Sequence, residues 1–158
     1  MFYFELINKA NEDVMNMTEL ELVKLYAKAW NHLDFGIIEP YLSKDVVYSA
    51  QAVSFPEIKG NEAKERIKSR MKKRSTEDDG KVYAELGYFP SDYPSWGLAK
   101  INFHKNLWGY PCIIMARGNK DNLICPVILE LEEGKIKSIY TCAVPPIQNV
   151  FRTGEYPC

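Results

Sequence analysis

Apolar residues recur at three- and four-residue steps through Leu22, Val23, Tyr26, Ala29, Trp30 and Leu33, which sets them on one face of a helix. Lys24 and Lys28 fall on the other side. Thr18, followed by Glu21, forms a capping box that satisfies orphan N–H groups at the helix start. Asn31-His32-Leu33-Asp34 reads as a stop. Asp34 can cap a second helix through Phe35, Ile37, Ile38, Tyr41 and Leu42, which Pro40 should keep short or kinked. Residues 45–51 are β-branched and aromatic and predict a strand. A third helix starts at Gly60-Asn61 and runs from 62 to about 75, with a thin apolar stripe of Ala63, Ile67 and Met71.

The second half of the chain alternates instead. Strands are expected over 81–89, 98–104 and 110–117, with loops at 52–59 and 91–97 and a turn cluster at 118–122. Residues 123–140 predict a hairpin broken at Glu133-Gly134. In a regular register Glu132 faces Lys135 and Glu130 faces Lys137, both favourable cross-strand pairs. That register puts Cys125, Val127, Leu129, Leu131, Ile136, Tyr140 and Cys142 on the face toward the helices. It leaves Ile128 and Ile139 on the outer face, with the charged residues near the turn. Cys125 and Cys142 should then oppose each other inside. Residues 2–17 are too apolar for a free arm and should dock on the body or a partner, and Pro145-Pro146 should end regular structure before a tail.

The chain is expected to form one domain over residues 1–158, with an arm at 1–17 and a tail at 145–158. A net charge of −1 argues against a nucleic-acid binder driven by overall charge. Seven of the eleven residues 64–74 are basic, a set that could serve a phosphate or nucleic-acid site but reads first as a solvated helix face, partly neutralised by Glu77, Asp78 and Asp79. No apolar run approaches the roughly 20 residues of a membrane span, and no export signal opens the chain. The expectation is a cytoplasmic protein that contacts neither membrane nor nucleic acid. The four cysteines match no zinc or redox spacing and are expected as free thiols. Neither His32 nor His104 has a carboxylate at a recognised ligand spacing, so no metal and no cofactor is expected. His32 should be exposed in the helix break, whereas His104 could act as a base if it faces a pocket.

The stretch from Tyr26 to Asp34, followed by 41–48, resembles the nuclear transport factor 2-like superfamily, in its SnoaL-like and ketosteroid isomerase-like branch. Lys59-Gly60-Asn61-Glu62-Ala63 is similar to the start of that family's third helix, and 129–140 to its closing hairpin. The resemblance covers roughly 18–143, with 87–110 poorly matched. It implies an α+β fold, cystatin-like, with three N-terminal helices packed on a curved, mainly antiparallel sheet around a cone-shaped apolar pocket. It also implies a homodimer paired through the outer sheet face, which Ile128 and Ile139 would centre. Ketosteroid isomerase uses a Tyr and a protonated Asp as oxyanion donors and a second Asp as base. Carried onto this chain, the Tyr falls on Tyr26, the base at or beside Ala50, and the donor Asp near Val127. Two of three roles are missing, so steroid-type isomerisation is not expected.

Two functions stay open at this level. One is a SnoaL-like protein that binds a small hydrophobic molecule, with an isomerase, cyclase or hydratase activity undecided. Its ligand-binding candidates are Tyr26, Trp30, Tyr48, His104 and Tyr140. The other is a non-catalytic dimeric interaction module. Tyr26, Trp30, Tyr48 and Tyr140 are expected to converge on one cavity. An enclosed cavity with a His, Asp or Glu pointing inward would favour the first function, and one filled by aromatic rings the second.

Overall fold

The computed structural model describes residues 18–50, 56–89, 109–142 and 150–158. The arm at 1–17 that was expected to dock, the strand expected at 98–104 with His104, the loop expected at 91–97 and Pro145-Pro146 lie outside them.

Helix α1 spans Glu19–His32. Thr18 caps it, its hydroxyl accepting from the Glu21 N–H at 3.2 Å. Leu33 ends it in a left-handed conformation (φ 52°), with N–H groups of Leu33 and Asp34 returning to Trp30 and Ala29 carbonyls. The second helix expected after it is absent from the described residues. Two single 3₁₀ turns stand there instead, Phe35–Ile37 and Glu39–Tyr41. Asp34 caps the first by accepting from Gly36 N–H at 3.0 Å, and Pro40 has no N–H with which to continue an α ladder. The described residues therefore hold two α-helices rather than three. The other, α2, covers Gly60–Ser75 and buries Ala63, Ile67 and Met71.

The strands are β1 (Leu42–Ala50), β2 (Ile58–Lys59), β3 (Val82–Tyr88), β4 (Pro111–Arg117), β5 (Leu123–Glu132), β6 (Lys135–Thr141) and β7 (Phe151–Arg152). They form one sheet in the order β2-β1-β6-β5-β4-β3-β7. Only the β1–β6 pair is parallel among these neighbours. Helix α1 packs over β3 and β4, and α2 over β1. Between them and the sheet lies the larger core, including Tyr26, Trp30, Val46, Tyr48, Ile67, Ile113, Leu129 and Ile139. A second core lies on the outer face: Phe89, Cys112, Ile114, Ile128, Tyr140, Cys142 and Val150.

The hairpin turns at Glu133-Gly134 as expected, with both residues at positive φ (52° and 75°), the signature of a type I′ turn. Glu132 pairs with Lys135, but the regular register stops there. Leu131 pairs with Ile136 and Glu130 with Ser138, so Lys137 is an extra residue, a β-bulge. Beyond a bulge every side chain changes face. Ile139 therefore joins the inner core, while Tyr140 and Cys142 turn outward. The expected inward Tyr140 and the expected opposition of Cys125 and Cys142 both fail for this one reason. Lys137 still lies 3.9 Å from Glu130, the carboxylate it was expected to face, but is nearer to Glu132, at 3.2 Å.

The tail expected after 145 includes a tied-down segment. Strand β7 pairs with β3, and the Leu86 N–H and carbonyl bond to Glu155 and Thr153. Glu85, only 2% exposed, accepts from Gly154 N–H (2.7 Å), Arg152 Nε (2.9 Å) and the Tyr156 hydroxyl (3.2 Å). Asn31 of α1 closes the strap, donating to the Ala84 and Pro157 carbonyls and accepting from Ala84 N–H. The β3 edge is thereby covered rather than left open for pairing.

Candidate functional site

A cavity of about 420 Å³ opens between the two helices and the inner face of the sheet. Tyr26 and Trp30, one helical turn apart, face it from α1, and Tyr48 faces it from β1. The sheet supplies Val82, Met115, Cys125, Val127, Ile139 and Thr141. A second bulge shapes this floor: Met115 pairs with Cys125 and Ala116 with Leu123, which leaves Ile124 unpaired at the cavity, 54% exposed. On the opposite wall α2 contributes Arg70, Lys73 and Arg74, and the end of β4 contributes Arg117.

Three of the expected ligand-binding residues, Tyr26, Trp30 and Tyr48, are thus brought together. Tyr140 is not among them, since the Lys137 bulge sets it on the outer face. His104 lies outside the described residues, and His32 is exposed in the helix end as expected. Val127, where the family's donor carboxyl would fall, is part of the cavity wall, and Ala50 is buried.

The basic residues are what the sequence reading missed. Residues 64–74 were expected to form a solvated face, and Arg70 and Lys73 are exposed accordingly, but with Arg74 they also line the cavity. The signal was present: Arg66, Arg70 and Arg74 recur every four residues, one position before the buried Ile67 and Met71. A row beside a buried stripe lies at the seam between helix and body, where a pocket mouth forms. Arg70 lies over the Tyr48 ring at 5.7 Å and donates to its hydroxyl at 3.3 Å. Arg74 pairs with Glu77 at 3.0 Å. The same carboxylate bonds Arg117, which also lies 3.6 Å from Asp79.

Burial pushes the Tyr26 hydroxyl far above its ordinary range, and a hydrogen bond from Trp30 offsets only part of that. Burial also raises Tyr48, against the opposing pull of Arg70. Both are neutral phenols at neutral pH, able to donate and accept but not to abstract a proton. The Cys125 thiol is pushed up by burial to about 11, so it stays protonated and unreactive. Among the described residues lining the cavity none is His, Asp or Glu, and no group of three metal-ligating side chains occurs.

The chain order is helix, strand, helix, then antiparallel strands ending in a hairpin that pairs back with the first strand. Bulged strands and two helices border a cavity on one face of that sheet. This is an α+β fold, with both helices on one face of a mainly antiparallel sheet. No family model matches the chain, and no curated protein does. Among solved structures, the chain is similar to an NTF2-like protein of unknown function from Cytophaga hutchinsonii. The two are 17% identical, with a TM-score of 0.47 over 78% of this chain and 88% of that one. It is also similar to a hypothetical protein with a ketosteroid isomerase-like fold from Catenulispora acidiphila, solved in complex with trimethylamine. That match is 15% identical, with a TM-score of 0.46 over 78% of this chain and 85% of the other. A fold by itself does not fix a function, so function has to be argued from this chain's own cavity. None of its helices, among the described residues, is long and apolar enough to cross a membrane.

Proposed function

We propose that the protein binds a small, largely apolar molecule in the cavity between its helices and its sheet. The observation that carries the reading is the space itself. About 420 Å³ lies among Tyr26, Trp30, Tyr48, Val127 and Ile139, instead of being closed by their side chains. That volume falls within the range of small-molecule sites, about 300–1,000 Å³. It would hold on the order of a dozen waters at about 30 Å³ each, and their release from an apolar wall favours an apolar ligand. The aromatic rings supply contact area, and the neutral Tyr26 hydroxyl offers a polar anchor at the base.

The described lining supports binding over proton transfer, since it offers tyrosines and cations but no neutral-range base. An interaction module would be better served by a cavity filled with rings. A homodimer through the outer sheet face stays a separate proposal drawn from the resemblance. Ile128 is fully buried within one chain and Ile139 faces the inner core, so such a pairing would use other residues. The proposed setting is the cytoplasm, where exposed thiols such as Cys158 persist.

Native mass spectrometry of the gently purified protein tests the reading. A small-molecule adduct should accompany the wild type and be lost in Met115→Trp, which fills the cavity from its half-buried sheet wall. An adduct that survives Met115→Trp in a folded protein would place the ligand elsewhere and refute it.

A further inference from the structure

We infer that the molecule the cavity takes is an anion, an apolar carboxylate whose body lies on the aromatic floor and whose carboxylate meets a cationic mouth. This rests on the cavity being a ligand site. The argument is one of charge placement. Arg70, Lys73, Arg74 and Arg117 all reach the cavity, and no Asp or Glu lines it among the described residues. Among the described residues, Glu77 is shared between Arg74 and Arg117, and Asp79, which is 83% exposed, lies 3.6 Å from Arg117. Leaving Arg70 aside, Lys73, Arg74 and Arg117 set three cations against these two carboxylates among the described residues, so the mouth is positive although the whole chain carries a net charge of −1.

Two details place unspent donors there. The Arg117 Nε is buried and has no hydrogen-bond partner, a state that buried donors rarely keep. Lys73 forms no ion pair or side-chain hydrogen bond with the described residues, although it lies at the cavity. Arg70 is held in place differently, by the face and hydroxyl of Tyr48, so its guanidinium is oriented before any ligand arrives. A carboxylate accepts from guanidinium forks in two parallel bonds, the strong form of the interaction. A nucleic acid fits poorly: the floor is a closed apolar wall rather than a groove, and the excess of positive charge is small.

The test is a titration of hexanoate, phenylacetate and naphthalene-2-carboxylate, each beside its primary amide, followed by calorimetry at low salt. The amide keeps the shape and removes the charge. At least one acid should bind about tenfold or more tighter than its amide. That preference should shrink about threefold or more in Lys73→Met and in Arg117→Met, and further at high salt. Circular dichroism confirms that each variant is folded, and Lys73→Met, at an exposed and unpaired position, keeps the test open if Arg117→Met is not. Acid and amide binding equally, both blocked by Met115→Trp, would overturn the anion and leave the cavity reading standing. Binding indifferent to Met115→Trp, or no binding by any of the six probes, would overturn both.

Discussion

Arg152→Met removes the cation that touches the buried Glu85 carboxylate, and its cost can be worked from the contacts. Glu85 is 2% exposed and sits on β3 beneath the C-terminal segment, with Arg152 Nε at 2.9 Å. The substitution leaves that carboxylate with the Gly154 N–H and the Tyr156 hydroxyl alone. Breaking a fully buried ion pair costs about 3–5 kcal/mol because the surviving charge is stranded. Arg152 itself is 36% exposed and also leans on Asp121, 92% exposed, so solvent screens part of the pair. A charge-assisted hydrogen bond in that setting is worth about 1.5–3 kcal/mol, so about 2 kcal/mol is expected. For a chain of this length, that lowers the melting temperature by about 4–8 °C. Urea unfolding and thermal melts of Arg152→Met, Glu85→Gln and the double variant supply the assay. The double variant should cost less than the sum of the singles, since both remove the same interaction. A loss below about 0.5 kcal/mol for Arg152→Met would mean the C-terminal strap is not held through Glu85, and the reasoning would fail.

Further outcomes follow from burial and backbone geometry. With native protein at pH 8, maleimide should label exposed Cys158 first and Cys112 and Cys142 last, because both are buried and their thiols are raised far above the ordinary range; fast labelling of Cys142 would contradict its outer-core position. Gly87→Ala should destabilise by about 1–3 kcal/mol, since its new Cβ would stand 2.5 Å from Cδ1 of the fully buried Ile114 and 3.1 Å from the Phe151 carbonyl; an unchanged denaturation midpoint would refute that packing. Tyr26, Tyr48 and Tyr110 (pushed up to about 12) are all raised by burial, so their contribution to stability is full below the unfolded tyrosine value near pH 10 and declines as pH rises past it. Stability that increased between pH 9 and 11 in a urea series would have the wrong sign.

The parts of the molecule legible in the sequence are those governed by local rules. Thr18 and Leu33 bound α1 through backbone caps a few residues away, and Glu133-Gly134 turns because glycine beside it tolerates positive φ. Tyr26 and Trp30 were readable on one face because helical period sets them there, whereas Tyr48 was turned inward only by the family resemblance. Tyr140 was not, since one unpaired residue at Lys137 inverts everything after it and no sequence pattern marks that bulge. The cationic mouth depended on where α2 lands against β4, a tertiary matter that a helical wheel does not hold. The strap was hidden for a similar reason: Glu85 finds its partners 67 to 71 residues away.

The central claim is that this cavity, between α1, α2 and the inner sheet face, is where the protein takes its ligand. Amide chemical-shift mapping in ¹⁵N-labelled protein, titrated with naphthalene-2-carboxylate, tests it most directly. The account predicts that shifts concentrate on Tyr26, Tyr48, Cys125, Val127, Thr141 and the Arg70–Arg74 turn, and that Met115→Trp abolishes them. Shifts centred instead on the outer core around Phe89, Ile114 and Tyr140, or spread without focus over the surface, would contradict it.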